Sequence, residues 1–103
     1  MAIHYVDRDS VEYLGVRVVY RNTATGATDP TAYTVTVALV LAGTRPVSGD
    51  YQSASWALNA DGHYVAQRLV SGLTASASYD VYVKVAASPE TWVGKSPDTV
   101  AVR

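Results

Sequence analysis

The chain contains no cysteine and no phenylalanine, and only two of its 103 residues are lysine. Without cysteine, neither a disulfide framework nor a thiolate metal site can form. This disfavours a secreted disulfide scaffold, and we expect the chain to fold in a reducing cytoplasm. Its stability then comes from a hydrophobic core and from backbone hydrogen bonds.

Long hydrophobic runs and clustered charge are also missing. The longest apolar run, residues 35–42, is interrupted by Thr36 and is much shorter than the roughly 18 residues of a membrane span. The first ten residues lack a basic region followed by an apolar core, so we expect no signal peptide. Eight basic and nine acidic residues give a net charge of −1, and the arginines are scattered. We therefore expect neither a membrane nor a nucleic acid as partner.

The residues that are abundant favour β-structure. Valine, threonine and tyrosine are frequent, and eight of the residues are tyrosine. Such β-branched and aromatic side chains pack well on a pleated sheet. The length suits one domain, which can bury roughly two-thirds of its unfolded surface.

Alternation of hydrophobic and polar residues predicts six strands, and no segment shows a sustained helical period. In residues 79–87 one face carries Tyr79, Val81, Val83 and Val85. Gly15, in the middle of the first predicted strand, predicts a bulge or a close backbone approach. The six strands are predicted at residues 11–20, 31–41, 51–58, 63–70, 79–87 and 99–103.

Turn signals separate these strands. Asp61 and Gly62 predict a hairpin turn. Small and polar residues predict a turn at residues 22–30, and two prolines with one glycine predict a loop at residues 88–98. Residues 1–10 are predicted to be an N-terminal arm or an edge strand, ahead of a domain that spans residues 11–103.

The spacing of Leu73 and Tyr79, six residues apart across a small polar linker, resembles a tyrosine corner. In immunoglobulin-like and fibronectin type III domains, the hydroxyl of this tyrosine forms a hydrogen bond to the backbone a few residues upstream. Together with the strand pattern, this resemblance predicts an all-β, antiparallel two-sheet sandwich, immunoglobulin-like or fibronectin type III-like, of about seven strands.

The residue types that carry enzyme chemistry are not grouped in this sequence. His4 and His63 are the only histidines, and no carboxylate stands at a metal-ligand spacing from either. Asp7 and Asp9 lack further oxygen ligands for calcium and are predicted to be solvated. No serine lies in a GxSxG motif, and no glycine opens a phosphate-binding helix. We therefore expect no catalytic residue, no metal, no cofactor and no small-molecule substrate.

Exposed aromatic residues are the remaining candidates for a binding surface. Tyr82 lies opposite the core face of its strand, and Trp92 lies in the predicted loop between two prolines. Tyrosine and tryptophan are favoured at contact hot spots. Alternatively, Tyr82 fills a cross-strand pair and Trp92 covers the open end of the sandwich, while Trp56 is predicted to anchor the core. The candidate partner-binding residues are Ile3, Tyr5, Tyr82, Pro89 and Trp92.

The order of several motifs points to a family. The motifs are YLGVRV at 13–18, GDY at 49–51, ASW at 54–56, YVA at 64–66, YDVYVKV at 79–85, SPE at 88–90 and TVAV at 99–102. This order resembles small immunoglobulin-like structural proteins of actinobacterial tailed phages, which are encoded near capsid and head-to-tail connector genes. These structural proteins have no catalytic motif that could be assigned to residues of this chain.

The resemblance implies a non-enzymatic virion protein that is assembled in the host cytoplasm. Its expected role is capsid decoration or stabilisation, or an accessory role at the head–tail connector. The expected partners are the major capsid protein or connector subunits, contacted by multiple copies in a symmetric assembly.

A second hypothesis remains open, in which the chain is an adhesion module on a tail or a cell-surface assembly. Tyr82 and Trp92 would then form an aromatic platform for a carbohydrate or a host receptor.

Overall fold

The chain folds into eight β-strands and one short 3₁₀ turn, Ser48–Asp50, in the part that the structure describes. The structure is a computed structural model, and it describes residues 3–7, 9, 11–18, 30–74, 76–87 and 90–103. The strands are β1 (Ile3–Val6), β2 (Glu12–Val18), β3 (Thr34–Leu41), β4 (Tyr51–Ser53), β5 (Ser55–Leu58), β6 (Tyr64–Val70), β7 (Ser78–Ala87) and β8 (Glu90–Val102).

The strands form two sheets of different width. The wide sheet has five strands in the order β1-β8-β7-β3-β4, and the narrow sheet has three in the order β2-β6-β5. All neighbouring strands are antiparallel except β1, which runs parallel to β8. The sheets face each other, with β2 against β7 and β6 against β3. The predicted all-β sandwich of two largely antiparallel sheets is confirmed.

Valine dominates the core between the sheets. The predicted inward face of β7 is confirmed, because Val81, Val83 and Val85 are all buried. Each fully buried side chain of this size stabilises the fold by roughly 1.5–3 kcal/mol. The other core members are Val6, Leu14, Val16, Val35, Val37, Ala66, Val70 and Val100.

Two local predictions are also confirmed. The backbone N–H of Thr74 donates a hydrogen bond of 3.3 Å to the hydroxyl oxygen of Tyr79, as expected for a tyrosine corner. At the predicted hairpin turn, Gly62 has a φ of +80° and its N–H donates to the carbonyl of Asn59 at 3.0 Å. This φ is unstrained for glycine.

The predicted loop at residues 88–98 is wrong for its described residues. Residues 90–98 belong to β8, and residues 88 and 89 lie outside the described part of the chain. The pairing of β7 with β8 shifts beside Pro97, because Asp80 lies opposite Thr99 while Tyr82 lies opposite Lys95. A proline is tolerated at such a bulge because no ladder hydrogen bond is required there.

The predicted strand at residues 51–58 is two strands that belong to different sheets. β4 pairs with β3, whereas β5 pairs with β6. Ala54 lies between them, and its N–H donates to the carbonyl of Val35 at 3.2 Å.

Of the two alternatives for the N-terminal segment, an arm or an edge strand, the structure shows an edge strand, β1. Residues 22–29 of the predicted turn lie outside the described residues.

Candidate functional site

The outward side of the wide sheet brings three of the five candidate contact residues together. Ile3 and Tyr5 lie on β1, and Tyr82 lies on β7. The pairing places Ile3 beside Thr99, which lies opposite Asp80. Asp80 and Tyr82 are two residues apart on one strand and therefore share a face. We call this outward side of the five-stranded sheet the wide face.

At one edge of the wide face, an aromatic ring is stacked with a cation. Ile3 and Tyr5 are both more than half exposed. The guanidinium carbon of Arg103 lies 4.1 Å from the centroid of the Tyr5 ring. Such a cation–π contact contributes about 0.5–1 kcal/mol at an exposed site and restrains both side chains. The edge therefore presents a fixed surface that is both apolar and cationic.

A second cation–aromatic pair lies at the other edge. The ammonium nitrogen of Lys84 lies 4.0 Å from the centroid of the Tyr51 ring. Burial raises the pKa of the Tyr51 phenol above its usual 10.0, Arg45 opposes this, and Tyr82 and Asp50 add to it. Tyr51 is thus a neutral hydrogen-bonding group at physiological pH, next to the Lys84 side chain.

A buried carboxylate lies beneath the middle of the wide face. Asp80 is only 5% exposed, and its Oδ2 accepts a 3.0 Å hydrogen bond from the N–H of Gly43. The same oxygen lies 3.6 Å from the ammonium nitrogen of Lys95. These contacts join the turn after β3 to β7 and β8. Sequence reasoning missed this role, because Gly43 and Asp80 are far apart in the chain.

Trp92 lies on the inward side of the wide sheet, because it pairs with the inward-facing Val85. Its ring meets the ring of Tyr33 edge-on, with centroids 6.0 Å apart and an interplanar angle of 83°. Trp56 is half-buried against the core, and its indole N–H donates to the carbonyl of Tyr33 at 2.9 Å.

Tyr82 faces the outward side of the wide sheet, so Tyr82 and Trp92 do not form a shared platform. Pro89 lies outside the described residues.

An inward-facing arginine joins the two sheets. Arg68 on β6 lies opposite Leu14, and its Nη1 donates to the carbonyl of Val37 on β3 at 3.2 Å. Burial lowers the pKa of this guanidinium below its usual range. Sequence reasoning treated Arg68 as one of several scattered charges. The alternation along residues 64–70 was the available signal, since it places Arg68 on the same face as Ala66 and Val70.

The described residues contain no cluster of three or more metal-ligating side chains. No helix in this part of the chain is long and apolar enough to cross a membrane. Compared with known proteins, the chain matches no family model, no curated protein and no solved structure. The candidate site is therefore defined by its own geometry, a sheet face with a cation–aromatic pair at each of its two edges.

Proposed function

We propose that this protein is a non-enzymatic virion structural protein, a capsid-decoration protein or a head–tail connector accessory. It binds neighbouring virion subunits through the wide face. The observation that carries the proposal is the placement of Ile3, Tyr5 and Tyr82 on that one face. The motif order that resembles phage structural proteins supports the same role.

We also propose that the sandwich is immunoglobulin-like. The tyrosine hydrogen bond to Thr74 supports this assignment. So does the sheet order, in which the first strand lies parallel to the last and the remaining neighbours are antiparallel. Rigid sandwiches of this kind commonly serve as scaffolds for contact surfaces.

The proposed interface works through repetition. A single contact that buries less than about 1,200 Å² is weak. Many copies on a symmetric shell or ring gain affinity when each domain bridges two subunits. The cation–aromatic pairs on Tyr5 and Tyr51 lower the entropic cost of docking, because these side chains are ordered beforehand.

The first experiment is mass spectrometry and cryo-electron microscopy of purified virions of the phage that encodes the chain. We expect the chain in the particle, with the wide face against a neighbouring subunit. Ile3→Asp should reduce its incorporation, whereas Leu69→Asp should not. Both residues are similarly exposed, at 56% and 53%, but Leu69 lies on the outward side of the narrow sheet. Absence of the chain from the particle would refute the proposal.

A glycan array with the free domain separates this role from the adhesion alternative. We expect no carbohydrate binding. Specific binding that is lost in Trp92→Ala but kept in Ile3→Asp would favour the adhesion module instead.

A further inference from the structure

Both lysines of the chain lie next to each other on the wide face. Lys84 belongs to β7 and Lys95 to β8. The register places Lys95 directly opposite Tyr82, which lies two residues before Lys84 on the same side of β7. The two lysines are therefore diagonal neighbours across the ladder, roughly 7–8 Å apart in the backbone. Both ammonium groups can reach a ligand that lies over Tyr82.

A third cation lies close to this pair of lysines. Burial raises the pKa of the Tyr51 phenol, Arg45 opposes the rise and Tyr82 adds to it, so both side chains lie near that phenol. The Tyr51 ring also supports Lys84, whose ammonium nitrogen lies 4.0 Å from the ring centroid. Three cations thus surround two phenols. We call Arg45, Tyr51, Tyr82, Lys84 and Lys95 the cationic cluster.

The carboxylates that the structure describes beside the cationic cluster are engaged within the domain. Asp80 is 5% exposed, and its Oδ2 already contacts the ammonium nitrogen of Lys95 at 3.6 Å. The Oδ2 of Asp50 accepts the N–H of Val47 at 2.9 Å. Lys84 forms no ion pair with any acidic side chain in the described part of the chain. Its charge is therefore available to a partner.

The cationic cluster is accessible from the outside. The Lys95 side chain is 52% exposed despite its contact with Asp80. Val93, directly opposite Lys84 on β8, is 48% exposed. Among the described residues, none forms a hydrogen bond with the hydroxyl of Tyr82, and none has a buried side-chain oxygen that lacks a partner. The Tyr82 hydroxyl is therefore in reach of a ligand above the sheet.

A carboxylate is the group that fits between the two lysines. Like charges at neighbouring positions repel each other, and an anion placed between Lys84 and Lys95 offsets that repulsion. Ammonium and phenol groups both donate hydrogen bonds, and carboxylate oxygens accept them. Hydrogen bonds with ionised groups are stronger than those between neutral groups. In a protein partner, aspartate and glutamate supply such carboxylates.

We propose that the cationic cluster binds an acidic surface of the neighbouring subunit, with a carboxylate bridging Lys84 and Lys95. Tyr82 donates a hydrogen bond to the same carboxylate, and the Tyr51 ring holds Lys84 in position. This inference rests on the proposed function for the partner being a protein subunit, and it adds the chemistry of that subunit's surface. A second copy docked cluster to cluster does not fit, because like charges would meet.

The presence of only two lysines gives the first test a simple readout. Isotope labelling of lysine alone yields one side-chain NMR signal for each, and Lys84→Arg assigns them. The full chain is titrated with a capped hexaglutamate peptide and, as a control, with hexaglutamine. We expect hexaglutamate alone to shift both signals. The shifts should shrink as salt is raised from about 0.05 M to about 0.5 M, because exposed charges are then screened.

Two matched variants locate the binding. Lys84→Gln should weaken hexaglutamate binding by roughly two- to fivefold, as for the loss of one exposed ion pair, followed through the Lys95 signal. Arg17→Gln removes the same charge from the outward side of the narrow sheet, where Arg17 is exposed opposite Val65. This control should bind as the parent does. Melting curves of both variants establish that each is folded.

Three results would overturn the inference. Equal shifts with hexaglutamate and hexaglutamine would show that the cluster does not select carboxylates. Equal affinities of Lys84→Gln and Arg17→Gln would place the peptide elsewhere or reduce it to general attraction. Inorganic phosphate that shifts both lysine signals as strongly, at matched ionic strength, would show the binding of any counter-ion.

Purified virions separate this inference from the role on which it rests. Lys84→Glu should reduce incorporation of the chain into particles, whereas Arg17→Glu should not. Normal incorporation of Lys84→Glu would refute the acidic partner surface and leave the virion role intact. Absence of the parent chain from particles would refute the virion role instead, and the peptide titration would then decide whether the cluster binds carboxylates.

Discussion

The outward sides of the two sheets carry different kinds of surface. On the wide sheet, Lys84 stacks on Tyr51 and Arg103 stacks on Tyr5. On the narrow sheet, Tyr13 and Leu69 lie directly opposite each other and are 58% and 53% exposed. Gly15, two residues after Tyr13 on the same side of β2, adds no side chain to this surface.

This difference supports the proposal that the wide face is the contact surface. Side chains that are already restrained lose less entropy when a partner binds. The wide face has such restraints, and the buried Asp80 adds a fixed ion pair to Lys95 beneath it. In the described part of the narrow sheet, no aromatic ring is stacked with a cation.

The largest expected effect tests the difference between the inward and outward sides of β7. Val83→Asp places an unpaired carboxylate in the core and should unfold the domain, because several kcal/mol are lost from a total of about 5–15. Ala86→Asp, on the exposed outward side of the same strand, should melt almost as the parent does. Circular dichroism melting curves provide the measurement. A soluble Val83→Asp protein with an unchanged curve contradicts the assigned face.

Two glycines test how closely each sheet is packed at its surface. A Cβ at Gly15 would lie 2.6 Å from the Cγ1 of Val65, whereas the described atom nearest to a Cβ at Gly94 is the Cγ1 of Val83, at 3.7 Å. Gly15→Ala should therefore cost about 1–3 kcal/mol in unfolding free energy through overpacking. Gly94→Ala should stabilise by about 0.4–1 kcal/mol, because the unfolded chain loses freedom. Urea unfolding compares them, and equal stabilities would show that Val65 rotates away without cost.

A smaller effect separates a bonded tyrosine from an exposed one. Tyr79→Phe removes the acceptor for the N–H of Thr74 and should cost about 0.5–1.5 kcal/mol of unfolding free energy. Tyr13→Phe, on the outward side of the narrow sheet, should change the same quantity by less than about 0.5 kcal/mol. Chemical denaturation of both variants is the check. If both behave alike, the corner hydrogen bond does not contribute to stability.

The smallest effect concerns pH and the wide face. Because burial raises the folded pKa of Tyr51 above 10.0, the folded chain retains a proton that the unfolded chain loses. The stability that this shift contributes is present below pH 10 and is lost as pH rises through the folded pKa. Above pH 10, the Tyr51→Phe variant should therefore lose less unfolding free energy than the parent protein does. Urea unfolding below and above pH 10 measures this difference. An identical fall of the unfolding free energy with pH in the two proteins would contradict the raised pKa of Tyr51.

Alternation along single strands was sufficient to predict the core. Leu14 and Val16 are buried on β2 while Tyr13 and Arg17 are exposed, as their spacing predicts. Gly15 was predicted to mark a bulge or a close backbone approach, but the pairing runs through it without a bulge, and its nearest neighbour is a side chain, that of Val65. Such features depend on near neighbours in sequence or on one adjacent strand, so local pattern captures them.

Features that depend on several strands could not be predicted. Pro97 suggested a loop, but the bulge that accommodates it is set by the pairing with β7. The change of sheet at Ala54 likewise follows from the positions of β3 and β6. For the candidate site, alternation placed Tyr82 outward, but its separation from Trp92 required the register of β8. The stacking of Arg103 on Tyr5 joins opposite ends of the chain and has no local signal.

The parallel pairing of β1 with β8 has a mechanical consequence. Ile3 lies beside Thr99 and Val6 beside Val102, and the N–H of Arg103 donates to the carbonyl of Val6 at 2.8 Å. A force that pulls the start of β1 away from the end of β8 acts along both strands in opposite directions. It therefore loads their hydrogen bonds in shear, together, instead of opening them one after another. The domain should resist tension along this axis more strongly than tension applied across the ladder.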